Sequence, residues 1–160
     1  MQVQEIMSQV VHSCAPEDSL KQAAQLMWDH DCGSLPVSAA EDGSERAIGV
    51  ITDRDICMCA LFQDRRLSEL RVRDVMAEHN VLSCRPSDSI EQAEALMRQG
   101  RVRRLPVVDE KGSLAGIISL ADLARAAKRE SGKPEHSQIE RQIIDMLAAV
   151  STPRGQSLLA

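Results

Sequence analysis

The sequence predicts an α/β (α+β) fold in which a β-α-β-β-α unit is written twice, the copies related by a pseudo-twofold axis, with a C-terminal helix beyond them. Two observations carry this. Laying Val11 to Val37 over Val81 to Val107, a shift of 70, leaves 13 of 27 positions identical, against roughly two expected from average residue usage. Within each copy, short β-branched runs alternate with stretches whose apolar residues recur at helical spacing. A later segment, Gly49-Val50-Ile51-Thr52-Asp53-Arg54-Asp55, answers Gly116-Ile117-Ile118-Ser119-Leu120-Ala121-Asp122 at a shift of 67. The first copy therefore carries three more residues in the loop after Val37.

A first strand is expected around Val10-Val11 and again around Val81-Leu82, ended by Pro16 and Pro86. Asp18 and Asp88 then read as helix N-caps, Asp88 with Glu91 completing a capping box. Leu20, Ala23, Ala24 and Met27 share one helix face, and Ile90, Ala93 and Met97 repeat it, so both faces should be core. Leu35-Pro36-Val37 and Leu105-Pro106-Val107-Val108 open the second strands, with turn chemistry at Asp42-Gly43 and Lys111-Gly112. Ile48 to Ile51 and Ala115 to Ile118 form the third strands, and helices begin at about Thr52 and Ser119.

Leu67, Leu70 and Val72 space apolar residues through the connection, which predicts that it packs. The expected organisation is a first repeat over 1–66, a second over 67–130, and a linker with C-terminal amphipathic helix and tail over 131–160. Ser131-Gly132-Lys133-Pro134 breaks the chain, and Ile139, Ile143, Met146, Leu147 and Val150 then form an apolar stripe closed by Pro153 and Gly155. That stripe is expected either to dock on the body or to make a dimer contact.

At 160 residues the chain has the size of one compact domain, or of two small units that need each other. A net charge of −5 argues against a general binder of nucleic acid or anionic membrane. Trp28 and Phe62 are the only aromatic residues of the Phe, Trp and Tyr kind, so base stacking on aromatic platforms is nearly excluded. No apolar run approaches the roughly 18 residues of a membrane helix, and the start Met1-Gln2-Val3-Gln4-Glu5 lacks the basic residues of a signal peptide. A soluble, cytoplasmic protein is expected.

Five cysteines without zinc spacing suggest neither a disulfide framework nor a metal site. Cys14 and Cys84 occupy equivalent apolar positions and read as small core residues, while Cys57 and Cys59 diverge by about 200° on a helix. His12, His30, His79 and His136 are scattered, no nucleophile pattern stands out, and no phosphate-cradling G-x-x-x-x-G-K-[ST] loop is present. No catalytic residues and no metal ligands are predicted.

What remains is chemistry for binding. Thr52-x-x-Asp55 and Ser119-x-x-Asp122 each match a helix capping box. Each also directly follows a buried strand, placing a hydroxyl and a carboxylate at a helix N-terminus, where backbone N–H groups favour anions. A carboxylate so placed can accept both hydroxyls of a ribose. Arg98-x-x-Arg101-x-Arg103-Arg104 concentrates positive charge in an acidic chain. Arg103 and Arg104 enter a strand, whose alternation points one of them inward, and a guanidinium there suits a phosphate through paired N–H donors. The first copy has Gly33-Ser34 in their place. Arg54 is a third candidate phosphate contact, or equally a surface charge paired with its acidic neighbours.

The Pro-x-Asp-Ser start of each first helix, the Leu-Pro-Val strand and the Gly-x-x-Thr/Ser-x-x-Asp segment, all present twice, resemble a tandem pair of cystathionine β-synthase (CBS) domains, the Bateman module, over roughly Val3 to Ala127. The resemblance implies two units packed sheet to sheet, with two clefts that bind adenosine-containing ligands such as AMP, ADP, ATP or S-adenosylmethionine, and no required cofactor. It implies that Thr52 and Asp55 hold the ribose in one cleft and Ser119 and Asp122 in the other. Arg103 and Arg104 would match phosphate positions, and Val11, Ile51, Val81 and Ile118 would sandwich the base through backbone and aliphatic contacts.

The first copy departs from the pattern in lacking the acidic residue present at Asp109, and Leu120-Ala121 replaces Asp53-Arg54 in the second, so the clefts should differ. The implied protein is a non-catalytic adenylate sensor, a homodimer that signals to a regulated protein on another chain. Two other readings stand beside it: an interaction protein with vestigial clefts, and a redox-responsive regulator acting through Cys32 or Cys57.

Overall fold

The computed structural model describes residues 1–41, 43–76 and 81–130, together with Ile144, Asp145 and Leu147. Its elements run α1 (Leu20–Asp29), β1 (Ser34–Glu41), β2 (Ser44–Thr52), α2 (Asp53–Gln63), α3 (Ile90–Gly100), β3 (Arg104–Val108), β4 (Leu114–Ser119) and α4 (Leu120–Glu130), with single 3-10 turns at Val3–Glu5 and Val72–Asp74. Each repeat is an antiparallel hairpin flanked by two helices, the mixed helix and strand fold that the sequence predicts. Among the described residues no helix is long and apolar enough to cross a membrane.

The first strand expected in each repeat is reduced to one residue. Cys14 bridges Val37 and Cys84 bridges Val107, both parallel. The Cys14 N–H donates to the Pro36 carbonyl, and the Cys14 carbonyl accepts from the Ser38 N–H, a pattern repeated by Cys84 with Pro106 and Val108. Pairing stops there because Pro16 and Pro86, two residues on, have no N–H to give a ladder. The Asp18 carboxylate accepts from the Ala15 N–H at 2.8 Å, and Asp88 from Arg85 at 2.7 Å, which turns the chain away.

The aspartates are therefore turn residues rather than N-caps. The caps are Ser19 and Ser89, one position later, each boxed with a glutamine: Gln22 for α1 and Gln92 for α3. A serine hydroxyl serves the helix N–H groups as well as a carboxylate does, and Asp18 and Asp88 are already engaged.

The three extra residues of the first copy do not make a looser loop. They lengthen the hairpin: β1 and β2 pair from Ser34↔Thr52 out to Glu41↔Ser44, whereas β3 and β4 pair from Arg104↔Ser119 only to Val108↔Leu114. The longer hairpin reaches the other repeat, where Arg46 forms an antiparallel bridge with Ser113. The turns use Gly43 and Gly112 at φ +78° and +82°, where a side chain would be strained; Asp42 lies outside the described residues.

Two aliphatic cores follow. One gathers Cys14, Leu20, Ala23, Met27, Leu35, Val37, Ile51 and Ile56, and the other Cys84, Ile90, Ala93, Met97, Leu105, Val107, Ile118 and Leu123. The connection packs as expected, with Leu70 and Val72 buried in the first core and Leu67 packed against it. The sequence pattern did not announce the counterpart: Val3 is fully buried in the second core.

The Val3 N–H donates to the Asp88 carbonyl as the Val72 N–H does to Asp18, both at 2.9 Å. Each core is thus closed by the segment that precedes the other repeat. Ser8 then adds an antiparallel bridge to Ile117, and a Cβ on Gly116 would lie 3.0 Å from the Ser8 carbonyl oxygen and 2.8 Å from the Met7 sulfur, so a glycine eases this close approach. Of the predicted C-terminal stripe, Leu147 is described and exposed, while Ile139, Ile143, Met146 and Val150 lie outside the described residues.

Candidate ligand-binding site

The two Gly-x-x-Thr/Ser-x-x-Asp segments fold into matching corners where β2 enters α2 and β4 enters α4. In the first, Asp55 Oδ2 accepts from the Thr52 N–H at 3.0 Å and from the Thr52 hydroxyl at 2.7 Å, and Thr52 Oγ1 accepts from the Asp55 N–H at 3.2 Å. In the second, Asp122 Oδ2 accepts from the Ser119 N–H at 2.8 Å, and Ser119 Oγ accepts from the Asp122 N–H at 3.3 Å. Both pairs are true capping boxes, and both aim a carboxylate along a helix N-terminus.

The corners differ in what else they hold. Asp122 Oδ1 is taken by the Arg125 guanidinium, and Asp122 is buried. Asp55 is only half-buried, and the bonds of its box use Oδ2 alone. A cavity of about 290 Å³ opens beside the second corner, lined by Asp122, Arg125 and Ala126 from α4 and by Glu5, Ile6, Met7 and Ser8 from the N-terminal segment. Arg125 and this segment were missed in the sequence. Arg125 follows Asp122 by three residues, a helical spacing at which charges meet, and that was the available signal.

The register of the hairpins joins the corners to the predicted phosphate group. Arg104 is the cross-strand partner of Ser119, and Ser34, its counterpart, is the partner of Thr52. Opposed residues share a sheet face, so the Arg104 side chain starts beside the second corner. It extends across to the first repeat, its Nη1 lying 3.5 Å from Ser34 Oγ. Arg104 is half-buried and turned inward, while Arg103 is exposed and gives its carbonyl to the Leu120 N–H. One side chain thereby links the strand that pairs with the second corner to Ser34, the cross-strand partner of Thr52 in the first.

Arg54 is exposed, its own N–H bonded to the Asp53 carboxylate at 2.7 Å. Asp53 in turn covers Gly33, where a Cβ would lie 3.0 Å from Oδ2. Where the second repeat has Arg103 and Leu120, the first thus has bare backbone under a carboxylate. Val11 and Val81 are half-buried, but Ile51 and Ile118 are fully buried with their side chains in the two cores. Asp109, absent from the first copy, holds the β3–β4 turn by accepting from the Lys111 and Ser113 N–H groups, both at 2.8 Å.

The thiols divide as their burial dictates. Burial first, and the nearby Asp18 and Asp88 carboxylates second, push Cys14 up to about 11 and Cys84 up to about 12. Both are inert core residues. Cys57 is exposed, while Cys32 and Cys59 are half-buried. Two of the scattered histidines come together: His12 and His30 stack with ring centroids 3.3 Å apart. Their counterparts in the second repeat are Leu82 and Gly100, which also touch, so the stack fills a packing position. Among the described residues no group of three or more His, Cys, Asp or Glu could hold a metal ion.

A family model for the CBS domain matches residues 3–60 and 72–129. The chain is similar to the CBS domain-containing protein YhcV of Bacillus subtilis, 38% identical over 76% of this chain and 82% of that one. It is also similar to hypoxic response protein 1 of Mycobacterium tuberculosis, 30% identical over 93% of each chain. A solved structure of Hypoxic Response Protein I with two coordinated zinc ions has a TM-score of 0.67 and 30% identity, covering 78% of this chain and 98% of that one. CBSX2 of Arabidopsis thaliana, solved in complex with AMP, has a TM-score of 0.67 at 29% identity, covering 80% of this chain and 96% of that one.

Proposed function

Since the chain belongs to the CBS-domain family and carries the domain twice, we propose that it is a non-catalytic regulatory module. It binds an adenosine-containing ligand between its two repeats and transmits occupancy to a partner protein. The observation that carries the reading is that Arg104, the cross-strand partner of Ser119, reaches across to within 3.5 Å of Ser34, the cross-strand partner of Thr52. Corners of this kind suit ribose hydroxyls, and a guanidinium suits a phosphate. Of the aliphatic residues named for the base, the half-buried Val11 and Val81 are the ones left to flank it, since Ile51 and Ile118 are core.

AMP is the first ligand to consider, because CBSX2, 29% identical, was solved with it; ADP, ATP and S-adenosylmethionine share the adenosine part. Binding would act by favouring one arrangement of the repeats, which requires different affinity for the alternatives. Native mass spectrometry of freshly purified protein tests the reading. The expected spectrum carries an added mass of an adenosine ligand, retained or restored by adding AMP. A spectrum without adduct in the presence of AMP, ATP and S-adenosylmethionine alike would overturn it.

A further inference from the structure

Asp55 and Asp122 stand at equivalent corners but leave a ribose different atoms to use. Asp122 commits both oxygens inside the chain: Oδ2 accepts from the N–H and hydroxyl of Ser119, and Oδ1 receives the Arg125 guanidinium. Asp122 is also 6% exposed. Among the described residues the Asp55 carboxylate is bonded through Oδ2 alone, and Asp55 is half-buried. The difference arises less than one helical turn further on. Arg125 follows Asp122 by three residues, a spacing at which helical charges meet, whereas the first repeat has Met58 there, with no charge to offer.

We infer that Arg125 is a latch on the second corner: it occupies the carboxylate that would accept a ribose, so an adenosine ligand is taken at the first corner and reaches the second only when Arg125 swings away. The inference rests on the adenosine reading above and adds which corner is open. A ribose hydroxyl needs a carboxylate lone pair, and a guanidinium donating to Oδ1 competes for it through a charge-assisted bond. The latch can open because the Arg125 side chain is 61% exposed and that of Asp122 only 7%. The guanidinium can pass into water while the carboxylate stays.

The cavity of about 290 Å³ beside the pair is lined by Glu5 and Asp122, with Arg125 as its one cationic residue. With Arg125 withdrawn, two carboxylates remain, a lining that repels a phosphate and accepts an uncharged nucleoside. Adenosine is therefore the probe for this corner. When only a fraction of molecules is competent to bind, apparent affinity falls by that fraction, so a latch closed in about nine molecules of ten weakens the second corner about tenfold.

Equilibrium binding of adenosine to variants of the full chain, each checked for folding by circular dichroism, tests the latch. Asp122→Asn should bind as the parent does, and Asp55→Asn should bind at least about tenfold more weakly. Adding Arg125→Met to Asp55→Asn should recover about tenfold, and adding Asp122→Asn to that pair should remove the recovery. Methionine keeps a good helix former at the position. Salt loosens the exposed guanidinium without a further substitution and leaves uncharged adenosine alone, so it should strengthen binding to Asp55→Asn but not to the parent. Equal weakening by Asp55→Asn and Asp122→Asn, or no recovery with Arg125→Met, would overturn the latch and leave the ligand reading standing. So would an Arg125→Met that lowers adenosine affinity, since Arg125 would then be a ligand contact. No binding of adenosine, AMP or S-adenosylmethionine by the parent would overturn the ligand reading, and the latch with it.

Discussion

The Arg104 guanidinium lies 3.5 Å from the Ser34 hydroxyl, and the two residues are counterparts, 70 positions apart, each opening the first hairpin strand of its repeat. The duplication therefore meets itself at a pair that is neutral in one copy and cationic in the other. A phosphate entering between the corners would find this guanidinium already in place.

Replacing Arg104 by methionine should weaken AMP binding about tenfold or more, as expected when a charge-assisted hydrogen bond of about 1.5–3 kcal/mol is lost. Adenosine, which has no phosphate, should bind the variant and the parent alike. A calorimetric comparison of the two ligands separates loss of a phosphate contact from general damage, which would weaken both.

Thr52 caps α2 through its hydroxyl, the group proposed to meet a ribose. Thr52→Ala should cost about 1 kcal/mol in urea unfolding, the usual worth of a capping hydroxyl, and should also weaken ligand binding. Thr52→Ser should preserve both, because Ser119 performs the same capping in the second repeat.

Val3 closes the second core and Val72 the first. Val3→Ala removes two buried methyl groups and should destabilise the chain by about 2 kcal/mol. Hydrogen exchange should locate the loosening in α3, β3 and β4, far along the chain from the substitution. Val72→Ala should loosen α1, β1 and β2 instead.

Glu94 is buried on α3, and its Oε1 has no hydrogen-bond partner among the described residues. Desolvation first, and the neighbouring Glu91 second, hold its carboxyl above the ordinary 4.5, with Arg98 opposing. A folded-state value above the unfolded one means that folding disfavours the charged form. The cost is absent below 4.5, where the carboxyl is protonated in both states, and grows as pH rises through the folded value. Glu94→Gln should therefore stabilise the chain by on the order of 1 kcal/mol at neutral pH, and unfolding curves at low pH should show that gain gone.

Much of the fold was legible because the repeat gives each element a second reading. The helix faces at Leu20, Ala23 and Met27 and at Ile90, Ala93 and Met97 are buried in the cores as their spacing indicates. Both hydroxyl-carboxylate corners also stand where Gly-x-x-Thr/Ser-x-x-Asp puts them. The shortening of the first strands was not legible, since a β-branched run looks the same whether or not a proline and an aspartate turn two residues on have cut its ladder. Nor was the exchange of Val3 and Val72 between cores, because local periodicity does not say which of two similar cores a segment joins.

Side-chain direction was the other blind point for the site. Ile51 and Ile118 alternate correctly along their strands, but only the packed structure shows that both point into core. The Arg104–Ser34 contact joins residues 70 positions apart and depends on how the repeats meet, which no local pattern records.

The central claim is that an adenosine ligand is held by these corners, and calorimetry with AMP on the parent chain and on Asp55→Asn combined with Asp122→Asn tests it most directly. The variant replaces both carboxylates while leaving an amide oxygen to cap each helix, so it should remain folded by circular dichroism. The account predicts saturable binding by the parent and a loss of at least about tenfold in affinity for the variant, as for two ribose acceptors weakened at once. Equal binding by the two folded proteins, or no heat with the parent, would contradict it.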